Sequence, residues 1–489
     1  MAKPESTGAL LWGGVFLGLT TILIWSRMVG LDLSFWNDEV FTVVNYARKG
    51  PDAIFFDAYL PNNHVLFEIT AWATTSIFGQ SETIYRLWGW LPALVATGWI
   101  AWWASRRFGH LVATTVLILM VVSPLILQLS REARGYGLCL LAIVGLITQA
   151  DSALTEFGRS TVWRFASFGL LGVLTLPVFA LPYVFFAIPL LFESRIRRRL
   201  TVAVAVSGLV ALVWYSPMLL EILENASQQY GQPVPWHGFV TFSMLHLVFP
   251  VFRLLLPGNP DITLGDPQDD LLLTLVWHAV AWALMALGGR WLWRRSQRMM
   301  LASLVLSVIG TYLTMAVFGM WVVDRFVSYL SLPVFVLMAL GIKALAESKS
   351  AMPRRVVGTA LAGMALWLVL SFIPVADLVT RVPHEALKDA ALVANDSGAK
   401  LVVTNASRPV GFEYYLEVAP EILSSTDLEA LFCGKQSGYV FLNQVYLAEP
   451  LDTSCLEAKS AVQIRLEQRG RGYHLDVWLV GLPGGTTTT

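Results

Sequence analysis

The stretch Phe35-Trp36-Asn37-Asp38-Glu39 places two carboxylates side by side, shortly after an apolar run near the N-terminus. A carboxylate held against apolar walls can have a raised pKa and act as a general base. Trp36, beside Asp38, suits a site that borders both lipid and water. The pattern predicts a catalytic pair, Asp38 and Glu39; the alternative interpretation is a solvated, acidic loop edge.

Arginines stand at the ends of several apolar runs further along the chain. The turn Ser130-Arg131-Glu132-Ala133-Arg134-Gly135-Tyr136 joins two such runs with almost no spare loop, and Arg86 and Arg325 occupy comparable positions. An arginine at a lipid boundary is costly unless it binds an anion, and its donors match two phosphate oxygens at once. The predicted phosphate site comprises Arg86, Arg131, Arg134 and Arg325. The structural alternatives are ion pairs: Arg131 with Glu132, Arg134 with Glu82, and Asp324 with Arg325.

The composition indicates where these groups must work. The 489 residues are 56% hydrophobic and only 14% charged, whereas soluble domains carry about 25% charged residues. Lys+Arg and Asp+Glu both total 34, so no overall basic charge favours nucleic acid. Trp and Phe, which suit lipid interfaces, are abundant. The chain is therefore predicted to be a polytopic α-helical membrane protein.

Apolar runs long enough to cross about 30 Å of hydrocarbon occupy residues 8–25, 84–104, 111–129, 136–150, 199–217, 270–288, 299–320, 331–346 and 356–373. Residues 165–192 are apolar but interrupted by three prolines, and 64–78 is short. Every basic cluster between the runs can be cytoplasmic only if 165–192 crosses twice and 64–78 does not cross. We therefore expect about eleven spans and a short juxtamembrane helix at 64–78.

This map predicts a multi-pass protein of the cell (inner or plasma) membrane, with a cytoplasmic N-terminus and an extracytoplasmic C-terminus. Residues 1–373 form the membrane domain, with external loops at 26–83 and 218–269. An amphipathic stretch at 239–256 is predicted to lie on the membrane surface.

Residues 374–489 are predicted to form a small extracytoplasmic α/β domain. Helical periodicity covers 384–396 and stops at Gly398; strand-like segments follow at 401–403 and 439–442, and 462–466 faces 473–480 as a hairpin. Cys433 and Cys455 form a disulfide if this part faces an oxidising compartment. Without CxxC spacing they supply too few ligands for a metal, and Cys139, in an apolar run, is a packing residue.

Several functional classes lack their motifs. The sequence has no GxxxxGK[ST] phosphate loop, no HExxH and no GxSxG, which argues against ATP-driven pumps, zinc proteases and serine hydrolases. Ionisable residues are scarce in the middle of the spans, where an ion-coupled transporter would carry some. Chemistry at the external face fits better than passage through the bilayer.

In this setting the residues resemble a family. Phe35-Trp36-Asn37-Asp38-Glu39 is similar to the Asp-Glu signature of GT-C fold membrane glycosyltransferases, and more narrowly of family 39, the protein O-mannosyltransferase and aminoarabinose transferase superfamily. Asn63-His64-Val65-Leu66-Phe67 resembles its His-Pro-Pro-Leu-Tyr stretch. Residues 130–136 resemble its Ser-x-Glu-Ala-Arg-Pro-Tyr turn, with Gly135 in place of proline, and 325–333 resemble its Arg-Tyr…Pro segment.

The resemblance implies transfer of a sugar from a polyprenyl-phosphate carrier to an acceptor, whether glycan, lipid or protein, at the extracytoplasmic face. It implies that Asp38 is the general base, that the sugar carbon inverts, and that the arginines stabilise the departing lipid phosphate. Trp36, Glu39, His64 and Tyr136 would shape the sugar or acceptor pocket. Some members of the superfamily use a divalent metal such as Mg or Mn and others do not, so no metal ligand is assigned.

Two functions from other classes remain as alternatives. A flippase or transporter of lipid-linked saccharides would use the same phosphate site without a base at Asp38. A non-catalytic assembly subunit would use the C-terminal domain for docking.

Overall fold

The structure is a computed structural model of the full chain. It describes residues 18–22, 24–25, 28–35, 37–57, 63–228, 271–317, 327–348, 387–404, 414–417, 420–422, 425–434, 437–444, 455–456, 461–467 and 474–482. Several predictions lie wholly or largely outside these residues: Trp36, the Asp324–Arg325 pair, the spans at 8–25 and 356–373, and the surface helix at 239–256.

Up to residue 348 the described chain is helical. The helices are α1 (Asn37–Thr42), α2 (Pro51–Phe56), α3 (Val65–Phe78), α4 (Glu82–Phe108), α5 (His110–Val122), α6 (Pro124–Leu129), α7 (Tyr136–Glu156), α8 (Arg159–Thr175), α9 (Ala180–Leu190), α10 (Arg197–Tyr215), α11 (Leu219–Gln228), α12 (Leu271–Arg294), α13 (Arg298–Val317) and α14 (Ser331–Ala346). A π-helical turn, Val43–Ala47, follows α1, and short 3-10 turns precede α9, α11 and α14.

Four helical stretches of the described residues are long and apolar enough to cross a membrane: Tyr136–Glu156, Arg197–Leu223, Arg298–Met315 and Ser328–Ala346. Three further apolar helices are shorter: Val65–Phe78, His110–Val121 and Pro177–Leu190. A helical membrane architecture is therefore present, and the count of about eleven spans stays a prediction.

The proline-interrupted segment 165–192 lies in two helices, and its double crossing of the membrane stays a prediction. Helix α8 ends at Thr175, the 3-10 turn Pro177–Phe179 follows, and α9 begins at Ala180. Proline lacks a backbone N–H and disfavours helical geometry in the residue before it, which explains the break at Leu176.

Helix α3 has 14 residues and is thus about 21 Å long at 1.5 Å per residue, too short to span about 30 Å of hydrocarbon.

Glycines allow α4, α7 and the turn between α6 and α7 to approach very closely. A Cβ atom on Gly137 would lie 1.8 Å from the carbonyl oxygen of Gly89, and one on Gly89 would lie 2.2 Å from the carbonyl oxygen of Glu132. No side chain fits at these distances. The arginine-bearing turn 130–135 is therefore pressed against the start of α4.

The C-terminal part forms a five-stranded mixed sheet with two further helices, α15 (Leu387–Asp396) and α16 (Ser425–Cys433). Its strands are β1 (Leu401–Thr404), β2 (Glu421–Ile422), β3 (Tyr439–Gln444), β4 (Val462–Glu467) and β5 (His474–Val480), in the order β2-β1-β3-β5-β4. Strand β1 runs parallel to β2 and β3, whereas β5 is antiparallel to β3 and β4. The predicted helix, strands and hairpin are all present; β2 and α16 were not predicted.

Alternation along the strands gives the sheet a core on each face. Val402 packs with Leu387 and Ala390 of α15, while its neighbour Val403 packs with Leu428 and Phe432 of α16. Gly398 has a φ of +66°, a left-handed conformation that favours glycine and ends α15. The sulfur atoms of Cys433 and Cys455 are bonded, and Cys139 is buried among apolar residues.

The close approach of α4 to the turn can be tested by adding one methyl group. Gly89→Ala would force its Cβ against the Glu132 backbone, and overpacking of this kind costs about 1–3 kcal/mol or more. We expect a clear fall in the thermal unfolding midpoint of the detergent-purified protein. Gly98→Ala in the same helix is the control, because a Cβ there meets no atom within 4 Å. Equal unfolding midpoints for the two variants would contradict the packing.

Candidate active site

The two adjacent carboxylates lie in the first turn of α1, and they differ in exposure and in partner. The side chain of Glu39 is only 2% exposed, whereas that of Asp38 is 13% exposed. Helix α1 is short, and Asp38 also accepts a hydrogen bond at its backbone oxygen from the Thr42 hydroxyl, 3.0 Å away. One carboxylate of the pair is thus enclosed by protein, and the other reaches the surface of the site.

Glu39 binds Arg86 of α4 through two parallel hydrogen bonds. Arg86 Nε donates to Oε1 at 2.8 Å and Nη2 donates to Oε2 at 2.7 Å. The backbone N–H of Ala133 donates to the same Oε1 at 2.6 Å. The Glu39 carboxylate therefore joins α1, α4 and the turn 130–135 at one point.

The remaining donors of Arg86 hold the chain that leads into α1. Its Nη1 donates to the carbonyl oxygens of Leu31 at 2.8 Å and Leu33 at 2.6 Å, and Nη2 donates to that of Ser34 at 3.1 Å. The guanidinium also lies 5.1 Å from the centre of the Phe35 ring, within the range of a cation–π contact. Arg86 thereby fixes the path of residues 31–35.

Arg134 is the cation beside Asp38. Its side chain is fully buried, and Nη1 donates to Asp38 Oδ2 at 3.0 Å. Its Nη2 lies 3.2 Å from His64 Nε2, and its guanidinium lies 5.3 Å from the Tyr136 ring centre. Because a guanidinium only donates, His64 Nε2 accepts, and the imidazole is neutral with its proton on Nδ1.

His64 is held in turn by the start of α3. Its backbone N–H donates to Glu68 Oε1 at 3.0 Å, and its ring meets that of Tyr136 edge-on at 4.7 Å. Burial raises the pKa of Glu68 to about 8, against the opposing effects of the His64 hydrogen bond and the charge of Arg134. Burial therefore favours the neutral form of Glu68, and Asp38 is the carboxylate that Arg134 contacts directly.

Arg131 lies close to the same group. Its side chain is 5% exposed, and its Nη1 donates to the carbonyl oxygen of Val29 at 3.2 Å. Burial, with a contribution from the nearby positive charge of Arg86, lowers the pKa of Arg131 to about 10. At neutral pH the Arg131 guanidinium still carries its charge, and it lies near a second cation, Arg86.

The structure brings together most of the residues that the sequence singled out: Asp38, Glu39, His64, Arg86, Arg131, Arg134 and Tyr136. The alternative pair between Arg134 and Glu82 is wrong, because Arg134 pairs with Asp38 and Glu82 pairs with Lys388 at 2.8 Å. Among the described residues no group of three or more His, Cys, Asp or Glu side chains is arranged to hold a metal ion.

Two contributors to the site were not predicted. Glu68 follows His64 by four residues, a spacing that places a helix residue next to the helix start. Its contact with His64 could therefore have been predicted from the sequence. Gly135 stands where a Cβ would lie 2.4 Å from the Thr175 methyl carbon and 2.9 Å from His64 Nδ1. The glycine allows the turn to pack directly against the histidine.

Buried ion pairs are costly to break, and this gives a test of the Glu39–Arg86 link. Glu39→Gln leaves the Arg86 charge enclosed without a countercharge, which costs about 3–5 kcal/mol. We expect a lower thermal unfolding midpoint in detergent. The control is Asp57→Asn, whose pair with Lys49 is about half exposed on both sides, so that the change costs about 1 kcal/mol or less. If the two variants unfold at the same temperature, Glu39 does not organise the site.

Comparison with known proteins supports the fold and no closer assignment. No family model matches the chain, and no curated protein is similar in sequence. Among solved structures, ArnT from Cupriavidus metallidurans in the apo state has a TM-score of 0.58 at 12% identity, covering 98% of this chain and 99% of ArnT. The same protein bound to undecaprenyl phosphate has a TM-score of 0.60 at 12% identity, covering 97% and 98%.

A second solved structure extends the likeness. The archaeal oligosaccharyltransferase AglB from Archaeoglobus fulgidus, in complex with an inhibitory peptide and a dolichol-phosphate, has a TM-score of 0.51 at 13% identity. The match covers 96% of this chain and 74% of AglB. The likeness to both proteins extends over almost the whole chain, so this protein has the GT-C fold that they share.

Proposed function

We propose that the protein is a membrane glycosyltransferase that moves a sugar from a polyprenyl-phosphate donor to an acceptor at the extracytoplasmic face. The observation that carries the proposal is the pairing of Asp38, the partly exposed carboxylate, with the buried Arg134. A base and a phosphate-compatible cation thus lie side by side. The fold shared with ArnT, solved with undecaprenyl phosphate, supports the choice of donor.

The proposed reaction is a single displacement with inversion. An acceptor hydroxyl attacks the anomeric carbon of the sugar while the bond from that carbon to the phosphate oxygen breaks. Asp38 takes the proton of the hydroxyl, and polyprenyl phosphate leaves with the bonding electrons. Asp38 is suited to the role because its side chain is accessible and Arg134 fixes one of its oxygens, Oδ2.

The arginines divide by role in this proposal. Arg134, beside Asp38, is the cation that we expect to stabilise negative charge growing on the departing phosphate. Arg131 adds positive potential nearby, and Arg325 remains a predicted third contributor. The Arg86 donors already meet Glu39 and the carbonyls of Leu31, Leu33 and Ser34, so we propose that Arg86 positions the loop and does not bind the phosphate.

Two features support an extracytoplasmic C-terminal part. The Cys433–Cys455 bond suits an oxidising compartment, and the basic clusters between the helices suit the cytoplasm. His64 and Tyr136, which pack against Arg134, are proposed to line the sugar or acceptor pocket, together with Trp36. Glu39 has its partners within the protein and is proposed to hold this pocket in place.

Substitution of Asp38 separates catalysis from the alternatives. With purified protein, a panel of polyprenyl-phosphate sugars and candidate acceptors, Asp38→Asn should lower release of polyprenyl phosphate by at least about a hundredfold, since a positioned base contributes 10²–10⁴. Asp52→Asn is the matched control, because Asp52 is exposed on α2 in the same loop. It should release carrier at the wild-type rate.

Other outcomes of this experiment have defined meanings. Equal release by Asp38→Asn and wild type would reject Asp38 as the base. Tight donor binding without release by any variant, across the acceptor panel, would favour a flippase or an assembly subunit.

The phosphate assignment is tested by equilibrium binding of polyprenyl phosphate. Arg134→Ala removes charge-assisted donors worth about 1.5–3 kcal/mol, so the dissociation constant should rise about tenfold to a hundredfold. Arg134→Lys keeps the charge without the paired donors and should be intermediate. The control is Arg195→Ala, an exposed arginine that lies over Phe157 at the far end of α7. Unchanged affinity in folded Arg134→Ala would show that the phosphate binds elsewhere.

A further inference from the structure

A short segment of the C-terminal part contacts the loop that leads into the candidate active site. The backbone N–H of Phe35 donates to the hydroxyl of Tyr415 at 2.7 Å, across 380 residues of sequence. Phe35 is completely buried and lies three positions before Asp38. The only acceptor that the structure describes for the Phe35 N–H is thus supplied by a distant region of the chain.

Aromatic packing surrounds this hydrogen bond. The Phe35 ring lies 5.3 Å from the ring of Tyr414 and 6.4 Å from that of Tyr415, and 5.9 Å from that of Tyr85 on α4. The guanidinium of Arg86 lies 5.1 Å from the same ring. Residues from the C-terminal part thus enclose the side chain that Arg86, the partner of Glu39, also contacts.

The tyrosine segment is itself fixed to the C-terminal part. Asn395 of α15 donates through Nδ2 to the carbonyl oxygen of Tyr415 at 3.0 Å, and its Oδ1 accepts from the backbone N–H of Glu417 at 3.1 Å. Lys388 at the start of α15 pairs with Glu82 at the start of α4 at 2.8 Å. The position of Tyr415 is therefore set by the fold of the C-terminal part.

The Tyr415 hydroxyl is chemically suited to a permanent contact. Burial, together with smaller effects of Glu82 and Glu39, raises the pKa of Tyr415 well above its usual value. The hydroxyl stays neutral across the physiological range. An amide N–H that loses its acceptor in a buried place costs about 1–3 kcal/mol, enough to shift the loop between alternative paths.

We propose that Tyr415 is a positioning residue of the active site, and that its hydroxyl fixes the backbone at Phe35 so that α1 presents Asp38 correctly. The C-terminal part then completes the active site by fixing this loop. This role is separate from any part it plays in acceptor binding. The inference rests on the proposed function for the chemistry that Asp38 performs. The contact itself does not depend on that chemistry.

The test is Tyr415→Phe, which removes one oxygen and keeps the ring. Amide hydrogen exchange in a peptide covering residues 33–37 should become about tenfold faster, because the Phe35 N–H loses its acceptor. The control is Tyr439→Phe, which makes the same change in the buried core between the sheet and α16. It should leave exchange in this peptide unchanged. Unchanged exchange in Tyr415→Phe would overturn the proposal.

Activity gives a second, independent readout. The turnover number for release of polyprenyl phosphate should fall about fivefold or more in Tyr415→Phe, with polyprenyl-phosphate affinity unchanged. A loss of thermal stability with the same turnover number would show a merely structural role and overturn the positioning. If wild type shows no transfer while exchange responds as expected, the proposed function fails and the contact stands. If wild type transfers sugar and Tyr415→Phe matches it in both readouts, the function stands and the positioning fails.

Discussion

The paired hydrogen bonds between Glu39 and Arg86 are the interaction on which the site depends. A buried ion pair is favourable only if the donors and acceptors that the pair itself leaves over also find partners. Here the Ala133 N–H and the carbonyls of Leu31, Leu33 and Ser34 supply those partners. The same hydrogen bonds that stabilise the pair thereby fix the entry loop, α1 and the arginine-bearing turn relative to α4. Asp38, Arg131 and Arg134 lie on these segments, and His64 and Tyr136 contact Arg134.

Neighbouring carboxylates can serve different purposes because α1 directs them to different surroundings. Glu39 is enclosed and saturated by hydrogen bonds, while Asp38 keeps an accessible side chain beside a buried cation. Arg134 in turn meets a neutral imidazole at His64 and a Glu68 whose pKa is raised by burial. Asp38 is thus the carboxylate that Arg134 contacts directly, at the edge of the site where a general base would meet an acceptor.

Sequence patterns predicted this site where the signal was local. The adjacent acids, the arginine turn and the proline break at 177 could each be recognised from a few neighbouring residues. Partner choice could not, because Arg86 lies 47 residues from Glu39 and Tyr415 lies 380 from Phe35. Strand β2 was missed because a two-residue strand shows no alternation. The need for glycine at 89 and 137 could not be predicted either, because it arises from the close approach of α4 to α7 and to the turn before it.

The most direct test of this account is a cryo-EM map of the purified protein with polyprenyl phosphate bound. We expect phosphate density within hydrogen-bonding distance of Arg134 and beside Asp38, with Arg86 still paired to Glu39. Phosphate bound to Arg86 with that pair broken, or phosphate density remote from Asp38, would contradict it.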